Sequence, residues 1–202
     1  MMKILISIGG NCSSNIKQKF EYEKVIGVDS GVKHLNKFAI TPDLIIGDLD
    51  SIDKKLLTES AKKNIEIIKY PKNKDQTDFE IALDYAQKLE FESIDIIGGE
   101  NGEIDHLLSI FMTISINKCS YKTTWFYGKQ KILFNPKSIS INLNQIFSLI
   151  PLSNIKNLNI SGAKWNLQNK NIDFGSTRTL RNESVERLIK ISCDEGKYCI
   201  IY

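Results

Sequence analysis

The chain has 202 residues, 42% hydrophobic and 25% charged, with a net charge of +3. That length accommodates one large domain or two small ones with a sizeable core, and the composition is that of an ordinary globular protein. The lysines are scattered rather than gathered into an arginine-rich stripe, which argues against a nucleic-acid binder whose affinity rests on clustered phosphate contacts.

The apolar run from Ile4 to Ile8 is too short for a signal-peptide core or a membrane span and reads as a first buried strand, so no membrane association is expected. Cys12, Cys119, Cys193 and Cys199 have no Cys-x-x-Cys spacing and no paired histidines, which points to neither a zinc site nor a disulfide framework and makes a reducing cytoplasm the expected location. Up to about Tyr127, short apolar runs alternate with longer amphipathic segments, the signature of βαβ units. The expected strands are Ile4 to Ile8, Val25 to Val28, Leu44 to Ile46, Ile65 to Ile68 and Ile94 to Ile97. The expected helices lie near Ile16 to Tyr22, Val32 to Phe38, Lys54 to Asn64, Asp78 to Leu89 and Asp105 to Asn117. The fourth has Phe79, Ala82, Leu83, Ala86 and Leu89 at helical spacing and opens on Thr77-Asp78-Phe79-Glu80, a capping-box pattern.

After Gly128 the texture changes to short strand-like runs: Ile132 to Phe134, Ile139 to Leu143, Ile146 to Ile150, Leu158 to Ile160, Val185 to Ile191 and Tyr198 to Ile201. The expected fold is thus an α/β N-terminal domain with a mostly parallel sheet, residues 1–127, followed by a small all-β sandwich, residues 128–202.

Chemistry gathers where the expected parallel strands end. Val28 leads into Asp29-Ser30-Gly31, Ile46 into Gly47-Asp48-Leu49-Asp50-Ser51, and Tyr70-Pro71 towards Lys74-Asp75-Gln76-Thr77-Asp78. Ligands of open α/β sheets bind beyond the carboxyl ends of the strands. Five carboxylates on one such edge repel one another unless a cation compensates, and Mg²⁺ with bound phosphates would do so. Asp75 and Asp78, weighed alone, suit a helix start in any protein. The turn Gly98-Gly99-Glu100-Asn101-Gly102-Glu103-Ile104-Asp105-His106 permits close backbone approach to a ligand but is neither a Walker A loop nor Gly-x-Gly-x-x-Gly. On its own, His106 reads as structural and Trp165 as a core aromatic.

Taken in order and spacing, these motifs resemble the thiamine pyrophosphokinase family, also called thiamine diphosphokinase. The likeness continues with Ser161-Gly162-Ala163-Lys164-Trp165-Asn166-Leu167 and with Phe174-Gly175 to Asn182-Glu183. The resemblance implies transfer of a pyrophosphoryl group from ATP to the hydroxyl of thiamine, with Mg²⁺, in a homodimer that binds thiamine between subunits. It implies that Asp48, Asp50, Asp75 and Asp78 form the catalytic metal and phosphate group. Asp29, Ser30, Gly31, Ser51, Lys74, Gln76, Thr77, Gly98, Gly99, Asp105 and His106 are the implied nucleotide contacts, and Trp165, Arg181 and Asn182 the implied thiamine contacts. A tryptophan face attracts flat cations such as thiamine. The chain departs from the family pattern at Ser30, where a second glycine is common, at Glu103, where an arginine is usual, and at Arg181, where a serine is usual. Two other readings remain open at this stage: a catalytically altered relative that binds thiamine or nucleotide, and a phosphatase of the haloacid-dehalogenase type, whose opening motif is also Asp-x-Asp after a strand.

Overall fold

The computed structural model describes residues 2–13, 22–50, 65–117 and 123–202. Ser51, Cys119, the helix expected at Lys54 to Asn64 and all but the last residue of the one expected at Ile16 to Tyr22 lie outside them. The chain folds into two units, Met1–Thr113 with Thr124–Lys129, and Ile114–Thr123 with Gln130–Tyr202.

In the first unit, strands β1 (Met2–Ser7), β2 (Lys24–Val28), β3 (Leu44–Gly47), β4 (Glu66–Lys69), β5 (Phe91–Ile97) and β6 (Thr123–Tyr127) line up in the order β6-β5-β1-β2-β3-β4. The pairs β5/β1, β1/β2, β2/β3 and β3/β4 are all parallel. Helices α1 (Val32–Lys37), α2 (Asp78–Gln87) and α3 (Ile104–Ile116) separate the strands. Parallel strands are covered on both faces and therefore read as unbroken apolar runs; Ile4, Leu5 and Ile6 of β1 and Leu44, Ile45 and Ile46 of β3 have no exposed surface. The register Ser7↔Gly27, Val28↔Ile46 and Gly47↔Lys69 brings the carboxyl ends of the strands to one edge.

The start of α2 follows the capping logic only in part. The Thr77 hydroxyl accepts the Glu80 N–H at 3.1 Å, as a capping box requires, but the Glu80 carboxylate accepts from Gln76 Nε2 at 3.3 Å. Phe79, Ala82, Leu83 and Ala86 are buried at the expected spacing.

The second unit is a sandwich. Strands β7 (Gln130–Phe134), β8 (Ser138–Ser140), β9 (Ile146–Pro151), β10 (Ile155–Ser161), β11 (Leu167–Ile172), β12 (Asn182–Glu183), β13 (Leu188–Ser192) and β14 (Tyr198–Ile201) form the antiparallel arrays β12-β9-β14-β7 and β11-β10-β13-β8. Phe147 and Leu149 of β9 and Ile200 of β14 pack in one cluster with Leu158 and Ile160 of β10 and Ile189 of β13. Alternate residues face inward, as aligned sheet packing demands. β11 and β12 were not expected: β11 is exposed from Gln168 to Asn171 and lacks apolar alternation, and β12 has only two residues. β6 also carries no strand expectation from the sequence. Among the described residues no helix is long and apolar enough to cross a membrane.

Leu158, fully buried between the sheets, supplies a test of this core. Leu158→Ala is expected to lower unfolding free energy by about 2–5 kcal/mol, measured by chemical denaturation of the full chain.

Candidate functional site

A cavity of about 470 Å³ opens at the carboxyl edge of the parallel sheet, lined among others by Gly9, Gly10, Asp29, Ser30, Asp48, Lys72, Lys74, Gln76, Thr77, Asp78, Gly99 and His106. Each carboxylate arrives from a different strand end or helix start. Asp29 follows β2 in a single 3₁₀ turn, Asp48 follows β3, and Asp78 opens α2.

The Asp29 carboxyl is shifted from its ordinary range. Burial first, and then the charges of Asp78 and Asp48, push its carboxyl up to about 6, opposed by the Leu49 N–H, which donates to Asp29 Oδ1 at 3.2 Å. The Asp78 Oδ1 is buried and has no hydrogen-bond donor aligned on it, its cation being Lys74 Nζ at 3.1 Å. Asp29 itself sits in the left-handed region, with φ of 45°, which aims its carboxylate across β3. A Cβ at Gly47, whose φ is 152°, would collide with that carboxylate, so glycine is required there.

The glycine turns form the opposite wall. The Gly99 N–H donates to the Gly9 carbonyl at 2.7 Å, and the Asn11 and Glu100 backbones exchange hydrogen bonds at 2.9 and 3.0 Å. Glu100, 3% exposed, ties the turns together: its carboxylate accepts from the Ser13 N–H at 2.9 Å, from the Ser13 hydroxyl and from the Gly128 N–H at 3.0 Å. Gly98 has a packing role, since its carbonyl accepts from Trp125 Nε1 at 3.0 Å and a Cβ there would meet the Ile8 carbonyl. Behind this wall lies His34, 5% exposed, with Nε2 lacking any partner. Burial is the main cause holding its pKa below 6.5, followed by the Lys33 charge; a hydrogen bond to the Gly10 backbone and the charge of Glu100 oppose the shift, and Lys37 adds to it.

The sandwich carries a separate pocket of about 850 Å³, lined by Lys164, Trp165, Asn166, Leu167, Arg178, Thr179, Leu180, Arg181 and Asn182. Trp165 is 56% exposed, an unusual state for a tryptophan without a partner surface. Asn182 is buried, and its amide grips the Trp165 backbone in both directions: Trp165 N–H donates to Oδ1 at 3.2 Å and Nδ2 donates to the Trp165 carbonyl at 2.9 Å.

The comparisons with known proteins agree with this two-part arrangement. Residues 17–124 match the family model for the thiamin pyrophosphokinase catalytic domain, and residues 133–198 match the thiamin pyrophosphokinase vitamin B1 binding domain. The chain belongs to the thiamin pyrophosphokinase family. It is 33% identical to the thiamine pyrophosphokinase of Bacillus subtilis (strain 168) over 82% of this chain and 80% of that protein. It is 26% identical to the thiamin pyrophosphokinase 1 of Caenorhabditis elegans over 86% of this chain and 75% of that one. The crystal structure of a thiamine pyrophosphokinase from Bacillus subtilis superposes with a TM-score of 0.87 at 28% identity, covering 98% of this chain and 97% of the other.

Of the acidic residues singled out in the sequence, the thiamin pyrophosphokinase fold here gathers Asp29, Asp48 and Asp78 in one cavity. Asp50 turns outward to Lys72 Nζ at 3.2 Å, with its N–H on Asp48 Oδ1 at 3.0 Å, and Asp75 is exposed and does not line the cavity. Ser30, Lys74, Gln76, Thr77, Gly99 and His106 line the cavity; Gly31 is packed against the Ser7 carbonyl beneath it. Asp105 is exposed and accepts the His106 N–H at 2.8 Å. Trp165, Arg181 and Asn182 share the sandwich pocket. Sequence reasoning passed over Gly9-Gly10, although a glycine pair after a strand is the same signal it accepted at Gly98-Gly99. It also gave no role to Glu100 and Lys164, although both stand inside quoted motifs, or to Lys72 and Arg178, which stand in none.

Two outcomes test this geometry. Gly47→Ala is expected to displace Asp29 and abolish any thermal shift produced by divalent cations. Gly175→Ala, at φ 83° in open space, is expected to retain that shift and carry only the backbone cost of about 1–2 kcal/mol. For His34, whose folded pKa is depressed, the stabilising contribution is complete above its unfolded value and is lost as pH falls through about 6.5 and below. The melting temperature is therefore expected to drop from about pH 7.5 to pH 5.5 less steeply in His34→Gln than in the parent chain; parallel curves would contradict the assignment.

Proposed function

We propose that this chain is a thiamine pyrophosphokinase that transfers the pyrophosphoryl group of ATP to the hydroxyl of thiamine, yielding thiamine diphosphate and AMP. Family membership supports the diphosphotransfer, and the observation that carries the chemistry is the cavity in which Asp29, Asp48 and Asp78 converge with Lys74 as near cation. We assign residues 1–127 to ATP and Mg²⁺ and residues 128–202 to thiamine, and place the reaction in the cytoplasm.

The donor set fits a hard divalent cation: three carboxylates in one cavity, one of them raised by burial and then by the charges of the others, and a buried Asp78 oxygen without an aligned donor. Asp48 and Asp78 would hold Mg²⁺ with Asp29 beside them, whereas Asp50 and Asp75 lie outside the cavity lining. When bound, the ion supplies charge neutralisation on the transferring phosphates. Lys74 and Lys72 offer further positive charge to the polyphosphate, and the Gly9-Gly10 and Gly98-Gly99 turns let the nucleotide approach the backbone closely. The thiamine oxygen forms a bond to the β-phosphorus while the bridge to the α-phosphate breaks, so AMP departs with the bridging oxygen. The hydroxyl proton passes to a carboxylate of this group. Positioning supplies much of the rate in such transfers.

The sandwich supports the other half of the reading, since the exposed Trp165 face suits a flat heteroaromatic ring. We also propose a homodimer with thiamine held between subunits; the exposed apolar row Ile104, Leu108, Met112 and Ile116 along α3 supports association with a second copy.

Purified full chain with ATP, Mg²⁺ and thiamine is expected to release AMP in step with thiamine diphosphate. ADP as the product would overturn the reading. Asp48→Asn and Asp78→Asn are each expected to lower kcat/KM at least 100-fold, about 2.7 kcal/mol of transition-state stabilisation, with the circular dichroism spectrum unchanged.

A further inference from the structure

The glycine wall of the α/β cavity is held from behind by one buried carboxylate. Glu100 is 3% exposed, directly follows the Gly98-Gly99 turn and does not line the cavity. Its Oε2 accepts the Ser13 N–H at 2.9 Å together with the Ser13 hydroxyl, and its Oε1 accepts the Gly128 N–H at 3.0 Å. Its backbone exchanges hydrogen bonds with Asn11 at 2.9 and 3.0 Å. Three segments of one unit therefore close on a single side chain: the turn after β1, the turn after β5 and the residue that follows β6. A charge buried to this depth is costly unless donors meet its lone pairs, and three donors meet this one.

The two glycine turns also touch. Gly10, at φ 81°, has no room for a Cβ, which would lie 3.1 Å from the Gly99 Cα and 3.3 Å from the Glu100 carbonyl oxygen. The Gly99 N–H donates to the Gly9 carbonyl at 2.7 Å. In close-packed contact of this kind a shift of one turn is passed to the other. Gly9 and Gly10 both line the cavity, and among the described residues neither N–H has a backbone acceptor. Successive backbone N–H groups make anion-binding concavities, and such donors are effective where their geometry is fixed in advance.

We propose that Glu100 is a positioning residue for the nucleotide: by tying Ser13 and Gly128 around the Gly98-Gly99 turn, it holds the Gly9 and Gly10 N–H groups where they take an oxygen of the ATP phosphate chain. The inference rests on the reading of this cavity as the ATP site. Glu100 acts through the turns rather than on the ligand, so its loss weakens ATP binding and leaves the thiamine half of the reaction in place.

Steady-state kinetics of the full chain with ATP, Mg²⁺ and thiamine test this, at a temperature where circular dichroism shows each variant folded. Glu100→Gln keeps the shape of the side chain but replaces one carboxylate oxygen with an NH₂ group, so it cannot accept from both Ser13 and Gly128. It is expected to raise KM for ATP about fivefold or more, with kcat and KM for thiamine within about twofold of the parent chain. Ser13→Ala removes the hydroxyl donor, keeps the N–H and is expected to raise KM for ATP about threefold; this variant carries the test alone if Glu100→Gln does not fold. Combined, the two changes are expected to fall short of the product of their separate effects, because both act through one contact. Leu158→Ala controls for stability, since it loosens the sandwich core and leaves KM for ATP within about twofold of the parent. An unchanged KM for ATP in both Glu100→Gln and Ser13→Ala, an equal rise in Leu158→Ala, or an equal rise in KM for thiamine would overturn the proposal. A parent chain whose AMP release does not saturate with ATP overturns the nucleotide reading beneath it, an outcome seen before any variant is compared.

Discussion

Carboxylates that share a desolvated cavity repel one another, and the α/β unit brings three of them to one edge of its sheet. Much of the local structure there exists to tolerate that arrangement. Gly47 lacks the Cβ that would exclude Asp29, the Leu49 N–H meets Asp29 Oδ1, and Lys74 reaches Asp78 from the loop four residues before it. Burial first, and then the charges of Asp78 and Asp48, still hold the Asp29 carboxyl up at about 6. Any cation that enters a cavity of this kind relieves the repulsion, so ligand binding and stability are linked there.

The opposite wall solves a different problem. Two glycine turns, after β1 and β5, must lie close enough for a ligand to touch backbone, yet turns are the mobile parts of a fold. Reciprocal bonds between Asn11 and Glu100, the Gly99 to Gly9 bond and the buried Glu100 carboxylate hold them in register. A buried carboxylate with its donors satisfied rigidifies its surroundings, and here it does so beside the glycine turns that line the cavity.

The architecture was legible in the sequence wherever burial dictates pattern. Continuous apolar runs such as Leu44 to Ile46 announce strands covered on both faces, and the spacing of Phe79, Ala82, Leu83 and Ala86 announces α2. What escaped reading lacked such a pattern: β11 is an exposed polar strand, held by its ladder to β10, and Arg178 gains meaning only when the chain folds it beside Trp165. The site was legible as a set of strand ends but not as side-chain directions. Asp48 and Asp50 stand two apart after one strand, so alternation points them the same way, yet Leu49 adopts φ 66° and breaks the alternation, and Asp50 turns out to Lys72. Likewise Asn182, expected to meet the substrate, spends both ends of its amide on the Trp165 backbone, which makes it the brace of the aromatic wall.

The net charge of +3 conceals two opposite local fields. Asp29, Asp48 and Asp78 line the cavity of the first unit, whereas Lys164, Arg178 and Arg181 line the pocket of the second. Whole-chain charge governs solubility and encounter, whereas selection at a site follows charges within about a screening length of the ligand.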